Sequence, residues 1–282
     1  MILRRCLRLT KSLALVLSLG SVISGSYASE HGAIRAFESA KRTDPELMLF
    51  FKQMPKGGDL HVHVSGAVYS DYMLDSAIAK GLYFDPATSQ FGTDSTKIPA
   101  AQLLKNNALL YQFMDAASMR GWMGGGQSGH DHFFATFGIF GNALGARNRL
   151  NQLAEVVGRA KAQHEVYMEL MASVTPSDAN DAYFADLPNS SNMVAALATL
   201  RPKLEKLLQA SKPYLDEQEK VGPLIGQKSL TGLDNPIAVR YIWSCNRLSS
   251  PDTFFAQAAA GIYLAAHEHR IVAMNMVVTC SP

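Results

Sequence analysis

The chain has 282 residues, of which 48% are apolar and 18% charged; that is enough apolar material for a sizeable core and excludes wholesale disorder. The formal charge of +2 depends on Arg4, Arg5, Arg8 and Lys11, and without those four cations the remainder carries −2. Beyond the N-terminus there is no global basic field, which excludes nucleic acid as a partner of the charge-driven kind.

The first 28 residues read as a secretory signal peptide. "MILRRCLRLTK" is a basic opening, "SLALVLSLGSVISG" an apolar stretch too short for a membrane span of about 20 residues, and "SYA" sets small residues before a cleavage after Ala28. The expected location is periplasmic or secreted. No later stretch approaches membrane-spanning length, so no membrane contact is expected after cleavage. In such a compartment Cys245 and Cys280 could pair or remain as buried thiols; sequence leaves both open.

From residue 29 to 282 the pattern is one of alternating strands and helices. Four apolar runs rich in β-branched or aromatic residues predict buried strands at 59–64 ("DLHVHV"), 166–174, 237–245 and 271–278. Helical spacing follows the first strand at 70–81 and recurs at 100–119, at 149–164, at 191–220 with a kink or break at Pro202 and Pro213, and at 250–269 with Ser250 as cap. Strands alternating with helices imply a parallel α/β sheet. The first crossover is long, roughly 100 residues, and insertions after a strand's C-terminal end tend to carry function. It contains "RGWMGGGQSGHDHFFATF" (120–137), a Gly- and aromatic-rich segment leading into a helix that could cover a pocket.

The chemistry concentrates in "MPKGGDLHVHVSGAV", residues 54–68. Side chains at i and i+2 of a strand share a face, so His61 and His63 project together, about 7 Å apart along the chain. Two imidazoles on one rigid strand make half of a zinc site; the competing reading is a pair of core histidines satisfied by neighbours. Two other His-x-His pairs are weaker. His130 and His132 begin a predicted helix and read as loop and cap groups, while His267 and His269 close a helix, where i and i+2 diverge. Phe133 and Phe137 are four apart and share a helix face.

Met54, Pro55, Lys56, Leu60, His61, His63 and Gly66 together resemble the first-strand signature of the adenosine deaminase family within the metal-dependent hydrolases, and the exported N-terminus with its long insertion is similar to the family's secreted, growth-factor-related branch. The resemblance continues loosely to about residue 278. It implies a (β/α)8 TIM-type barrel with zinc at the C-terminal mouth, His61 and His63 as metal ligands, and hydrolytic deamination of adenosine to inosine. It carries Phe133 and Phe137 over as substrate contacts, with His63, Ser65 and Gly66 near the nucleoside. Ser65 stands where the family has an aspartate and keeps only a neutral hydroxyl.

The family's later motifs are missing. There is no His-Ala-Gly-Glu, no aspartate after Asp252 and no glutamate after Glu268. By strand count the expectation is an incomplete barrel, about the first four β/α units, that is a truncated N-terminal half without catalytic residues of its own. Its open edges would favour self-association with a second half. Two competing functions remain at this stage: another zinc amidohydrolase, and a non-catalytic exported protein that binds a purine nucleoside.

Overall fold

A computed structural model describes residues 29–124, 126–144 and 149–277. The predicted signal peptide, Cys280 with its pairing to Cys245, and the last residue of the fourth predicted strand lie outside the described residues. Among the described residues no helix is long and apolar enough to cross a membrane.

The chain forms two compact units divided after Pro55. The first holds helices α1 (Glu30–Ala40) and α2 (Asp44–Gln53). Ser29 caps α1 by accepting from the Gly32 amide, and Thr43 caps α2 by accepting from Glu46 while its hydroxyl donates to the Glu46 carboxylate, 3.0 Å. Such reciprocal caps satisfy amides that a helix start leaves without partners. Phe37 packs on Phe50 and Phe51 at ring separations of 5.4 and 6.0 Å.

The second unit is built on four parallel strands in the order β1 (Gly57–His63), β5 (Glu165–Met171), β6 (Ala238–Asn246) and β7 (Ile271–Val277). Four parallel strands joined through helices are the α/β architecture that the alternating pattern implies. Paired residues of a parallel ladder share a face. Val62, Leu170, Tyr241 and Ile271 are in register, and all four are buried in the core with Leu153 and Val157 and with Leu204 and Leu264. The opposite, inner face carries His63, Met171 and Ile242 in one row, with Glu169 and Arg240 in another.

Helix α6 (Arg149–Ala162) packs on β5 and α9 (Pro251–His267) on β6 and β7, while α8 (Met193–Glu219) packs on α9 and on α7 (Ser177–Phe184); α3 (Ser70–Ala79) follows β1 and packs on α4 (Asn107–Ala116) and α5 (Gly129–Leu144) of the insertion. Ser250 caps α9 as expected, accepting from the Thr253 amide at 3.3 Å. Two expectations need correction. The helix predicted over 100–119 is a 3-10 segment, Ala100–Lys105, followed by α4, because the Asn106 side chain accepts from the amides of Ala108 and Leu109 and restarts the helix. Of the kink or break predicted at the two prolines, the break does not occur: α8 is a single helix of 27 residues with Pro202 and Pro213 inside it. Its face of Leu200, Leu204, Leu207 and Leu215 is buried throughout, and that packing offsets the hydrogen bonds the prolines remove.

The long insertion contains a second, antiparallel sheet with β2 (Tyr83–Asp85) between β3 (Gln90–Gly92) and β4 (Ile98–Pro99). Phe84, Phe91 and Phe113 lie beneath it in mutual ring contact at 4.7 to 6.2 Å and are fully buried.

Candidate functional site

The entry into β1 is set by backbone needs. The Lys56 amide donates to the His164 carbonyl at 3.0 Å, and Gly57 then takes φ of +78°, a conformation that side-chain-bearing residues rarely adopt. A Cβ on Gly58 would meet the Tyr167 Cβ at 3.2 Å and the Tyr167 carbonyl at 3.3 Å, so the second glycine lets β1 lie close against β5. The register then shifts between Asp59 and Val62, and within that irregularity the His61 amide donates to the Asp59 carboxylate at 3.1 Å instead of to a neighbouring strand.

His61 and His63 emerge on one face, as the two-residue period requires. Their ring centroids are 5.2 Å apart with the planes at 64°, and both residues are exposed, whereas Val62 between them is buried. The reading of a satisfied core pair therefore fails. Partial burial, and secondly the neighbouring His61, push the His63 imidazole below its ordinary value of 6.5. Both causes favour the neutral form, the form that ligates metal ions.

Directly after His63 the chain makes one helical turn, Val64–Ala67, that carries Ser65 and Gly66, both exposed. Gly66 opens a cavity of about 670 Å³ whose walls include Tyr69, Met114, Arg120, Phe133, Thr136, Phe137 and Arg159. Phe133 and Phe137 touch each other at 5.4 Å and stay 44% and 47% exposed, so they are wall rather than core. Three of the residues expected near a substrate, Gly66, Phe133 and Phe137, are thus brought to one cavity. His61, His63 and Ser65 are not among its lining residues.

Arg159 holds the turn in place. Its guanidinium donates to the Ala67 carbonyl at 2.6 Å, pairs with Glu155 at 2.9 Å and lies 3.8 Å over the Tyr69 ring. Neither Arg159 nor Tyr69 stood out in the sequence, since a single arginine in an amphipathic helix carries no pattern. The other histidine pairs behave as structural groups. His132 bonds the Ser118 carbonyl at 2.9 Å, His130 lies 3.1 Å from Asp131, and His267 stacks on Tyr263 with ring centroids 4.2 Å apart.

Two exposed imidazoles on one face fit a zinc ion as a pair. The pair is not a complete set: among the described residues no group of three or more His, Cys, Asp or Glu side chains is placed to hold a metal ion.

No protein-family model matches the chain, and no curated protein does. Among solved structures the chain is similar to the N6-mAMP deaminase MAPDA of Arabidopsis, with 16% identity and a TM-score of 0.43 over 82% of this chain and 52% of that one. It is also similar to an amidohydrolase of Burkholderia ambifaria with bound Zn, with 14% identity and a TM-score of 0.35 over 83% of this chain and 47% of that one. The chain spans about half the length of each of these proteins.

Proposed function

We propose that this chain is the metal-binding and substrate-cradling part of a hydrolase of the adenosine-deaminase type, acting on a purine nucleoside. The observation that carries the reading is the His61–His63 pair, two exposed rings 5.2 Å apart on one strand, three residues ahead of the glycine that opens the 670 Å³ cavity. Each imidazole would give a ring nitrogen to zinc, which when bound supplies Lewis acidity towards water. Phe133 and Phe137 offer ring faces to a flat heterocycle, and the Arg159–Ala67 bond keeps the turn from collapsing into the space. Export through residues 1–28 belongs to the same proposal.

The described residues bring no third metal ligand to the pair. The chain by itself is therefore expected to take up less than one zinc per polypeptide and to release no inosine from adenosine. Calorimetric titration with zinc and with adenosine tests this: His61→Ala and His63→Ala should each abolish zinc uptake, and Phe137→Ala should weaken nucleoside binding about tenfold. Zinc uptake indifferent to both histidines would remove the metal reading. Inosine release that is lost in His61→Ala would show that the ligand set is completed within the chain.

One observation favours a second reading, a nucleoside-binding protein without catalysis: the cavity combines aromatic walls with polar groups such as Asp71 and Arg120, and the histidine pair does not line it. Nucleoside binding unchanged by chelator, with no zinc uptake, would select that reading.

A further inference from the structure

The cavity beside the histidine strand carries charge that a neutral nucleoside leaves unused. Two guanidinium groups line it, Arg120 and Arg159, together with one carboxylate, Asp71. Arg159 is committed to the scaffold: Nε and Nη2 bond Glu155 at 2.9 and 3.3 Å, and Nη2 donates to the Ala67 carbonyl at 2.6 Å. The side-chain partners of Arg120 are weak. Its Nη1 donates to the Met114 thioether at 3.4 Å, its Nε lies 3.4 Å from the Asp115 carboxylate, and its guanidinium carbon is 4.9 Å from the Tyr111 ring centre. A thioether is a poor acceptor, and an ion pair whose two side chains are each 51% exposed contributes little. The backbone beneath Arg120, by contrast, is fixed. The Arg120 amide donates to Ser118 Oγ at 3.2 Å, and that hydroxyl donates to the Met114 carbonyl at 2.6 Å. His132 bonds the Ser118 carbonyl at 2.9 Å from α5, the helix that carries Phe133 and Phe137. A strong donor with weak partners, on a backbone tied to the aromatic wall, is suited to an anion.

We propose that Arg120 binds a phosphate group, so that the ligand of the cavity is a purine nucleoside monophosphate and Arg120 is the residue that prefers it to the free nucleoside. The inference rests on the reading of the cavity as a purine site. A phosphate presents oxygens that a guanidinium fork engages two at a time, which neither the thioether nor the distant Asp115 carboxylate does. The base stacks on the exposed rings of Phe133 and Phe137. Asp71 suits the sugar rather than the phosphate: its Oδ1 accepts from the Tyr72 amide at 2.9 Å, and the exposed carboxylate can accept from a ribose hydroxyl as well. The 670 Å³ of the cavity falls inside the range of about 300–1,000 Å³ typical of small-molecule sites.

The test measures Kd for adenosine, adenosine 5′-monophosphate and adenosine 3′-monophosphate by calorimetry, with the full chain and with Arg120→Met, Arg120→Lys and Phe137→Ala, each checked for folding by circular dichroism. The readout is the ratio of affinities within one variant, which a loss of folded protein does not move. The full chain is expected to bind one of the two monophosphates about tenfold more tightly than adenosine at low salt, with the advantage shrinking as ionic strength rises. Arg120→Met should bring that ratio to one, and Arg120→Lys, which keeps the charge but loses the fork, should keep part of it. Phe137→Ala should weaken all three ligands and leave the ratio in place. Monophosphates that bind no more tightly than adenosine, or a preference that survives Arg120→Met, overturn the phosphate role. In that case adenosine binding that still depends on Phe137 leaves the cavity of the proposed function standing, and binding of none of the three removes both readings.

Discussion

Arg270→Met tests how the last strand is anchored. At the turn from α9 into β7 the Arg270 guanidinium is buried and grips Glu268, itself only 4% exposed, at 2.8 Å from Nε and 3.1 Å from Nη2. Nη1 reaches Asp216 on α8 at 2.7 Å. The same turn feeds the sheet directly, since the Tyr241 amide donates to the Arg270 carbonyl and the Ile271 amide to the Glu268 carbonyl. Removing the guanidinium strands a buried carboxylate, and breaking a buried pair from one side costs about 3–5 kcal/mol. His269, 3.4 Å from the same carboxylate but 81% exposed, offsets little of that. The loss is a large share of a folding free energy of about 5–15 kcal/mol. At a urea slope of about 3 kcal/mol per molar the midpoint should fall by about 1 M or more. The double variant Arg270→Met/Glu268→Leu leaves no orphan charge and should recover most of the stability. Urea unfolding followed by circular dichroism measures both. A single variant within about 1 kcal/mol of wild type, or a double variant no better than the single, would refute the reasoning.

The pH dependence of the same pair follows in sign. Burial raises the Glu268 carboxyl, but the side-chain and backbone hydrogen bonds from Arg270 and its charge outweigh this and hold it below the ordinary 4.5. The stability from this pair is then fully present above the unfolded value and is lost as pH falls through the lower folded value; Arg270→Met should not show that loss. His61→Gln should move the His63 imidazole back towards its ordinary value in a nuclear magnetic resonance titration, because one of the two causes that lower it is gone; an unmoved or further lowered titration would contradict the electrostatic account. Gly222→Ala should destabilise by about 1–3 kcal/mol in thermal melts, since the new Cβ would lie 2.5 Å from the Ser229 backbone carbonyl carbon, which has no flexible end to yield. Gly66→Ala, by contrast, meets only the His63 Cβ at 3.9 Å and should leave the melting temperature within a few degrees of wild type.

The four main strands were legible because a parallel sheet is buried on its helix-covered face and reads as near-continuous apolar runs; the predicted and observed spans of β1 and β6 differ by two residues or fewer at either end. The shared face of His61 and His63 was legible for the same periodic reason. What escaped was short or driven by packing. The strands of the small sheet have two or three residues, too few for any period to register, and Asn106 acts as a restart only because its side chain turns back on its own amides. The course of α8 past two prolines is fixed by the leucine face beneath it, which local preference does not reveal. At the cavity, Phe133 and Phe137 were reached through resemblance, whereas Arg159 is visible only in three dimensions, where a residue 92 positions away bonds the turn that follows the histidines.

The insertion between the first two main strands centres on the ring cluster of Phe84, Phe91 and Phe113, which is continuous with the core beneath the strand that carries the histidines. Substitutions at the exposed wall residues Phe133 and Phe137 can reshape the cavity with little effect on the core, whereas changes at Phe140 or Val68 reach both. Ligand preference can drift freely only through those exposed rings; elsewhere in the wall it is tied to the scaffold.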